Sequence, residues 1–212
     1  GAQVVSVEFD PRLAEGLARL AQAGSNLTVI KRDILKLSDI ELQAALGSAT
    51  FDIAANLPYE ISGAFLRRFT DGAFLPRRMT LLLQLEVAQR IAAKPGDMSL
   101  LALTCQYYGK VQVLRSVPPN VFWPAPRVTS ALVQLVAHTS NDYRYGLRDK
   151  EFTVLWRIAR IGFAARRKRL IHNLIAGLKL PGATILSACE KVGLSNNARA
   201  QELSPQEWAA LT

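Results

Sequence analysis

An α/β fold, with a doubly wound parallel sheet followed by a small all-α unit, is what the sequence predicts from three observations. Short apolar or β-branched runs alternate with amphipathic segments of helical spacing from Val4 to Tyr108. Half of the 212 residues are hydrophobic, enough for one substantial core and a smaller second one. The charge then changes along the chain: residues 143–212 hold 12 Lys/Arg against 5 Asp/Glu, whereas residues 1–142 hold 14 against 12. The expected division is a catalytic-type domain over residues 1–140 and a basic helical domain over 141–212, joined by the polar stretch Asn141 to Gly146.

Val4-Val5-Ser6-Val7-Glu8 reads as the first strand. Asp10-Pro11 then opens a helix from Arg12 to Ala23, with a cap residue followed by proline at the first helical position, and Gly24 stops it. Leu27-Thr28-Val29-Ile30 is a second strand, with Asp33 just beyond its end. Ser38 to Leu46 is the following helix, capped by Ser38 with Glu41 three residues on. Phe51 to Ala55 is a buried-strand run that opens into the turn Asn56-Leu57-Pro58-Tyr59. Ser62 to Phe69 is amphipathic, and Met79 to Gln84 is a continuous apolar strand. Leu85 to Ala93 and Met98 to Tyr108 read as helices, the second stopped by Gly109.

Val111 to Val117 and Val128 to Ala137 are two strands joined by a loop with four prolines in nine residues, Pro118 to Pro126. Such a loop is stiff and extended, and it carries Phe122 and Trp123. Phe152, Leu155, Trp156, Ile158, Ala159 and Phe163 recur at helical spacing and read as core. Ala183 to Val192 and Pro205 to Ala210 are two further short helices, the last capped through Ser204-Pro205-Gln206-Glu207.

Composition excludes several classes. No apolar run approaches the roughly 20 residues needed to cross a bilayer. Cys105 and Cys189 are too few and too far apart for a disulfide framework or a zinc site, so reduced thiols in a cytosolic protein are expected. His138 and His172 have no metal-like companions in sequence, and no metal is expected. The net charge of +9 suggests a polyanion partner, or else a solvated basic surface.

The turn Asn56 to Tyr59 is where chemistry is expected, because ligands in open α/β sheets sit beyond the carboxyl ends of the strands. Pro58 fixes its own φ and keeps Leu57 out of the helical region, so the Asn56 amide and the Leu57 carbonyl can be aimed at one point. Tyr59 adds an aromatic face. Two acceptors and a flat face suit an exocyclic amine on a planar ring. Acceptors that take both amine hydrogens favour the pyramidal nitrogen, whose lone pair can then attack an electrophile without a dedicated general base. The competing reading is a turn in which Asn caps a helix and Tyr packs. Glu8, at a strand end, is placed to accept hydrogen bonds from a ribose; Asp33, read by itself, is a helix cap or a turn aspartate.

Ala55-Asn56-Leu57-Pro58-Tyr59-Glu60-Ile61-Ser62 resembles the catalytic motif of the adenine-N6 dimethyltransferases of ribosomal RNA, most nearly the bacterial small-subunit (KsgA) family. Phe163 to Leu170, Asn173-Leu174 and Arg199 to Ser204 are similar to that family's C-terminal domain. The resemblance implies a Rossmann-like fold binding S-adenosylmethionine (SAM). It implies methylation, twice per base, of N6 on two adjacent adenines near the 3′ end of 16S rRNA in the small (30S) ribosomal subunit, coupled to ribosome biogenesis. By the same resemblance, Glu8 binds the cofactor ribose, Asp33 and Ile34 its adenine, and Asn56, Leu57, Pro58 and Tyr59 the target amine. Phe122, in the family's Phe-x-Pro-x-Pro motif, faces the target base opposite Tyr59. Arg166, Arg167, Lys168 and Arg169 correspond to the rRNA grip, although a tetrabasic run also serves as a nuclear address or a solvated face. Trp123 stands at a position that the motif leaves variable, and packing accounts for it. A cytoplasmic monomer without membrane contact is the expectation.

At its start the sequence departs from the family, which opens with a glutamine-rich motif, a first strand and a Gly-rich turn around the methionine part of SAM. Here Gly1 falls just before the second family strand, and no Gly-x-Gly occurs. The strand that is missing normally lies mid-sheet, between the strand ending at Glu8 and the one ending at Asn56. Three expectations follow: a fragment of a longer product, a gap filled by another molecule, or a sheet that closes up and loses the cofactor. A non-catalytic RNA-binding or ribosome-assembly module is the alternative reading, and a large-subunit rRNA adenine methylase another.

Overall fold

The computed structural model describes residues 1–21, 25–138, 147 and 149–212. Strand β1 spans Val4–Glu8, helix α1 Pro11–Leu20, β2 Leu27–Lys31, α2 Asp39–Leu46, β3 Asp52–Asn56 and α3 Ser62–Asp71. They are followed by β4 Arg78–Gln84, α4 Leu85–Ile91, α5 Leu100–Tyr108, β5 Gly109–Val117 and β6 Ser130–Ala137. Four helices complete the chain, α6 Asp149–Gly162, α7 Leu170–Leu178, α8 Gly182–Lys191 and α9 Pro205–Ala210. Gly24 and the linker Asn141 to Gly146 lie outside the described residues.

The helix starts follow from their caps. The Asp10 side chain accepts from the amides of Arg12 and Leu13, with Pro11 in the first turn of α1. Ser38 and Glu41 form a reciprocal capping box on α2, and Gly47 ends that helix in the left-handed region at φ 61°. Ser204 and Glu207 repeat the box on α9. Each satisfies amides that the first turn leaves without a helical partner.

The strands form two sheets rather than one. β1 pairs in parallel with β2, and a separate four-stranded sheet has the order β3-β4-β6-β5. β3 and β4 are parallel, but β6 runs antiparallel to both β4 and β5. The parallel arrangement expected of the alternating strands holds for β1–β2 and β3–β4, and the reversal concerns the two strands that follow Tyr108. The loop from β5 to β6 carries no crossover helix, and without one the chain returns antiparallel. The two sheets part between β1 and β3, where the resemblance implies a further family strand, and among the described residues no strand pairing joins β1 to β3. The expectation of a closed-up sheet is therefore overturned.

Side chains hold the halves together instead. Leu37 and Leu42, from the β1–β2 half, are buried in one cluster with Phe65, Leu66 and Phe69 of α3 and Met79, Leu81 and Leu83 of β4. Arg68 of α3 reaches across to donate to the carbonyls of Ile34 and Leu37 and pairs with Asp39 at 3.5 Å.

Helix α5 is buried all round and serves two cores. Cys105 and Tyr108 belong to the sheet core, while Leu103 and Tyr107 belong to a second core with α6 to α9. The Tyr107 hydroxyl donates to the Pro205 carbonyl at 2.6 Å, and the amides of Gly96 and Met98 both donate to the Gln201 carbonyl. Gly162 lets α6 approach its neighbours, since a Cβ there would lie 2.5 Å from the Trp208 ring and 2.8 Å from Leu170.

Candidate active site

Asn56 ends β3, at the same end of the sheet as the last residues of β4, to which it is registered through Leu82. Pro58 is extended, with φ −54° and ψ 134°, and breaks the strand before a single 3-10 turn over Tyr59–Ile61 leads into α3. Leu57 is buried, and its amide donates to the Leu82 carbonyl at 3.4 Å, so the backbone at the turn is anchored to the sheet. The Asn56 side chain points outward and, among the described residues, has no hydrogen-bond partner. An amide that neither caps a helix nor packs in a core is available to a ligand. Helix capping, the competing sequence reading, is absent here: the 3-10 turn has no side-chain cap.

Tyr59 is half-buried, and its hydroxyl lies 2.9 Å from the Ser130 hydroxyl. Ser130 is buried at the first position of β6, where it pairs with Gln84 of β4 and Val117 of β5. The 118–129 loop therefore rises from the sheet end that carries Asn56 and Tyr59. Phe122, in that loop, is half-buried, with its amide donating to the Pro119 carbonyl. Trp123 is 99% exposed, so packing does not account for it.

A cavity of about 780 Å³ opens between β1 and β3, lined by Glu8, Asp33 and Ile34 on one side and by Ala54, Asn56, Leu57 and Pro58 on the other. Four residues expected at a cofactor site, Glu8, Asp33, Ile34 and Asn56, thus share one cavity. Both acids are half-buried and turned to partial local use. Glu8 Oε1 accepts from the Asp10 amide at 2.8 Å, and Asp33 Oδ1 from the Leu35 amide at 2.9 Å. Each carboxylate is oriented by a single backbone N–H that donates to one of its two oxygens. Two fixed acidic acceptors over apolar walls fit a nucleoside, with one acid for ribose hydroxyls and one for an amino group.

The basic run is elsewhere. Arg166 to Arg169 are all exposed in the turn between α6 and α7. Arg166 is engaged within the protein, donating to Gln201 Oε1 at 3.0 Å and pairing with Asp97 at 3.6 Å. Buried Asn173 shapes the turn by donating to the carbonyls of Gly162 and Ala165. His172 is exposed, and the His138 ring bonds the Gln106 carbonyl. Among the described residues no cluster of His, Cys, Asp or Glu could hold a metal, and no helix is long and apolar enough to cross a membrane.

Sequence reasoning missed two residues. Ser130 gave no signal, because its partner is 71 residues away. Arg68 reads as one more solvated charge on an amphipathic helix, and only the fold shows that it braces the Asp33–Ile34 segment.

The family profile described as ribosomal RNA adenine dimethylase matches residues 2–212. A ribosomal RNA small subunit methyltransferase A of Dehalococcoides mccartyi is 37% identical over 210 residues, covering 99% of this chain and 70% of that protein. Its namesake in Sphingopyxis alaskensis is 36% identical over 217 residues, covering all of this chain and 75% of the relative. Among solved structures, a dimethyladenosine transferase from Plasmodium falciparum superposes with a TM-score of 0.77 at 23% identity, and the 23S rRNA methyltransferase ErmE with 0.73 at 22%. Each superposition covers 99% of this chain and 80% of the other, and at these identities they establish the fold.

Proposed function

The chain belongs to the ribosomal RNA adenine dimethylase family, and from that premise we propose that it transfers methyl groups from SAM to N6 of adenine in small-subunit rRNA, with Asn56, Leu57, Pro58 and Tyr59 as the reacting-base site. The observation that carries the reading is the open Asn56 amide at the lip of the cavity that also holds Glu8, Asp33 and Ile34. Methyl donor and acceptor amine can meet only at such a shared rim. The relatives named as small-subunit methyltransferases favour two adjacent adenines of 16S rRNA over a large-subunit target.

SAM supplies the electrophilic methyl group. Glu8 would hold the ribose hydroxyls, and Asp33 with Ile34 the adenine ring. Asn56 Oδ1 and the Leu57 carbonyl would accept the two hydrogens of the target amine, turning its lone pair toward the methyl group. Neutral acceptors suffice, because the proton leaves only after the nitrogen has become cationic. Tyr59 and Phe122 would clamp the base on either side. Arg167, Lys168 and Arg169 would contact rRNA phosphates from the helical domain, with Arg166 fixing their turn. A cytoplasmic, monomeric protein working on the 30S subunit completes the reading.

The test is transfer of labelled methyl from SAM to unmethylated small subunits, with large subunits as control and Asn56→Ala as comparison. Label confined to small-subunit adenines, and lost at least about a hundredfold in Asn56→Ala, supports the reading. Full transfer by Asn56→Ala overturns the catalytic assignment. Subunit binding without any label would favour the assembly-module reading.

A further inference from the structure

Trp123 is the most exposed large apolar side chain described, at 99%, and Val121 two residues away is 62% exposed. Leaving an indole in water forgoes a large burial free energy, so such a residue signals a partner surface. The loop that carries it is braced. Pro118, Pro119, Pro124 and Pro126 restrict its backbone, and the amides of Val121 and Phe122 donate to the carbonyls of Pro118 and Pro119. Its return end is tied down twice, by the Thr129 carbonyl accepting from the Leu85 amide at 2.9 Å and by Ser130 bonding Tyr59.

We propose that Trp123 is a stacking platform for a second, unpaired base of the RNA strand, next to the base held between Tyr59 and Phe122. The proposal rests on the functional reading above and adds a base subsite to it. Three features single out a nucleobase. The platform is adjacent in sequence to Phe122, so a strand that delivers one base to the reacting site passes over the loop. Its backbone is already restrained, so little conformational freedom is lost when a ring stacks on it. Arg115 on β5 and Arg127 in the loop are both exposed and lie on either side of it in sequence, so the stretch that carries the ring is cationic, which suits a phosphate backbone. An exposed aromatic face on a cationic stretch is the pattern of single-strand binding, and it tolerates any base because every base has a flat face.

The protein carries its own reporter. Of its three tryptophans, Trp156 and Trp208 are 8% and 0% exposed, so water-exposed emission comes from Trp123. The full chain is titrated with a fluorescently labelled single-stranded oligoribonucleotide of about ten nucleotides that contains two adjacent adenines, and RNA anisotropy and tryptophan emission are followed together. Saturable quenching in step with the anisotropy change is expected, together with affinity weakened about 5- to 100-fold in Trp123→Ala and largely kept in Trp123→Phe. Normal RNA binding with unchanged emission and unchanged Trp123→Ala affinity would overturn the subsite while leaving the methyltransferase reading intact. A single strand that fails to bind in either channel would also overturn the subsite, since a stacking platform must take unpaired bases, while the methyltransferase reading stands or falls by the separate transfer assay on small subunits.

Discussion

The Tyr59 hydroxyl is held 2.9 Å from that of Ser130, so the aromatic face of the candidate site is fixed by the first residue of β6, 71 positions away. The bond couples the turn after β3 to the root of the loop that carries Phe122. If its role is to set the plane of the Tyr59 ring, Ser130→Ala and Tyr59→Phe should be alike. Each is expected to lower kcat/KM for RNA by about tenfold or less, the worth of one hydrogen bond, with KM for SAM unchanged. The double variant should be no worse than either single one, because both remove the same interaction. Additive losses in steady-state kinetics would show that the two hydroxyls act separately.

Arg68 should matter more than an exposed helix charge does. Its side chain, 16% exposed, spans the parted sheet to the carbonyls of Ile34 and Leu37 and to Asp39. Arg68→Ala leaves two carbonyls without their donor and frees the segment that bears Asp33 and Ile34. The expected cost is about 2–3 kcal/mol in denaturant unfolding, the scale of hydrogen bonds from a charged donor. SAM affinity measured by calorimetry should fall with it, while RNA affinity should not. Equal losses for both ligands would mean that Arg68 supports the fold at large.

Much of this was legible in the chain, and the exceptions share a cause. The caps at Asp10, Ser38 and Ser204 were readable because each acts within two or three residues. Asn56-Leu57-Pro58-Tyr59 was readable because proline dictates its own local geometry. The antiparallel return of β6, the Ser130 contact and the reach of Arg68 depend on pairings across 34 to 71 residues, for which no local pattern codes. Trp123 was misjudged for the opposite reason. An apolar residue in a proline-rich loop looks like packing until the structure shows nothing over it.

Asp52, at the start of β3, gives stability an acid edge. Hydrogen bonds from Arg77 come first among the causes that hold its carboxyl below the usual carboxylate range, with Arg78 adding to them. A carboxyl whose folded pKa lies below its unfolded value contributes fully above about pH 4, and that contribution is lost as pH falls through the folded value. Both arginines are largely solvated, so Asp52→Asn should cost no more than about 1 kcal/mol at pH 7. The gap between wild type and variant in urea midpoints should shrink progressively in acid. A gap that widens there would reverse the assignment.

The two thiols can report whether the two cores open together. Burial pushes the Cys105 thiol up to about 12, and burial with the neighbouring Glu190 raises Cys189 as well. Neither should react with a thiol reagent at pH 8 until the chain opens, because the thiolate is the reactive form and both sulfurs are covered. Cys105 lies in the sheet core and Cys189 in the helical core, yet α5 supplies Tyr108 to the first and Tyr107 to the second. A helix shared in this way cannot leave one core without exposing the other. With Cys105→Ala and Cys189→Ala used to isolate each signal, labelling of the remaining thiol should rise at the same urea concentration. If Cys189 became reactive well before Cys105, the helical unit would open by itself and α5 would belong energetically to the sheet alone.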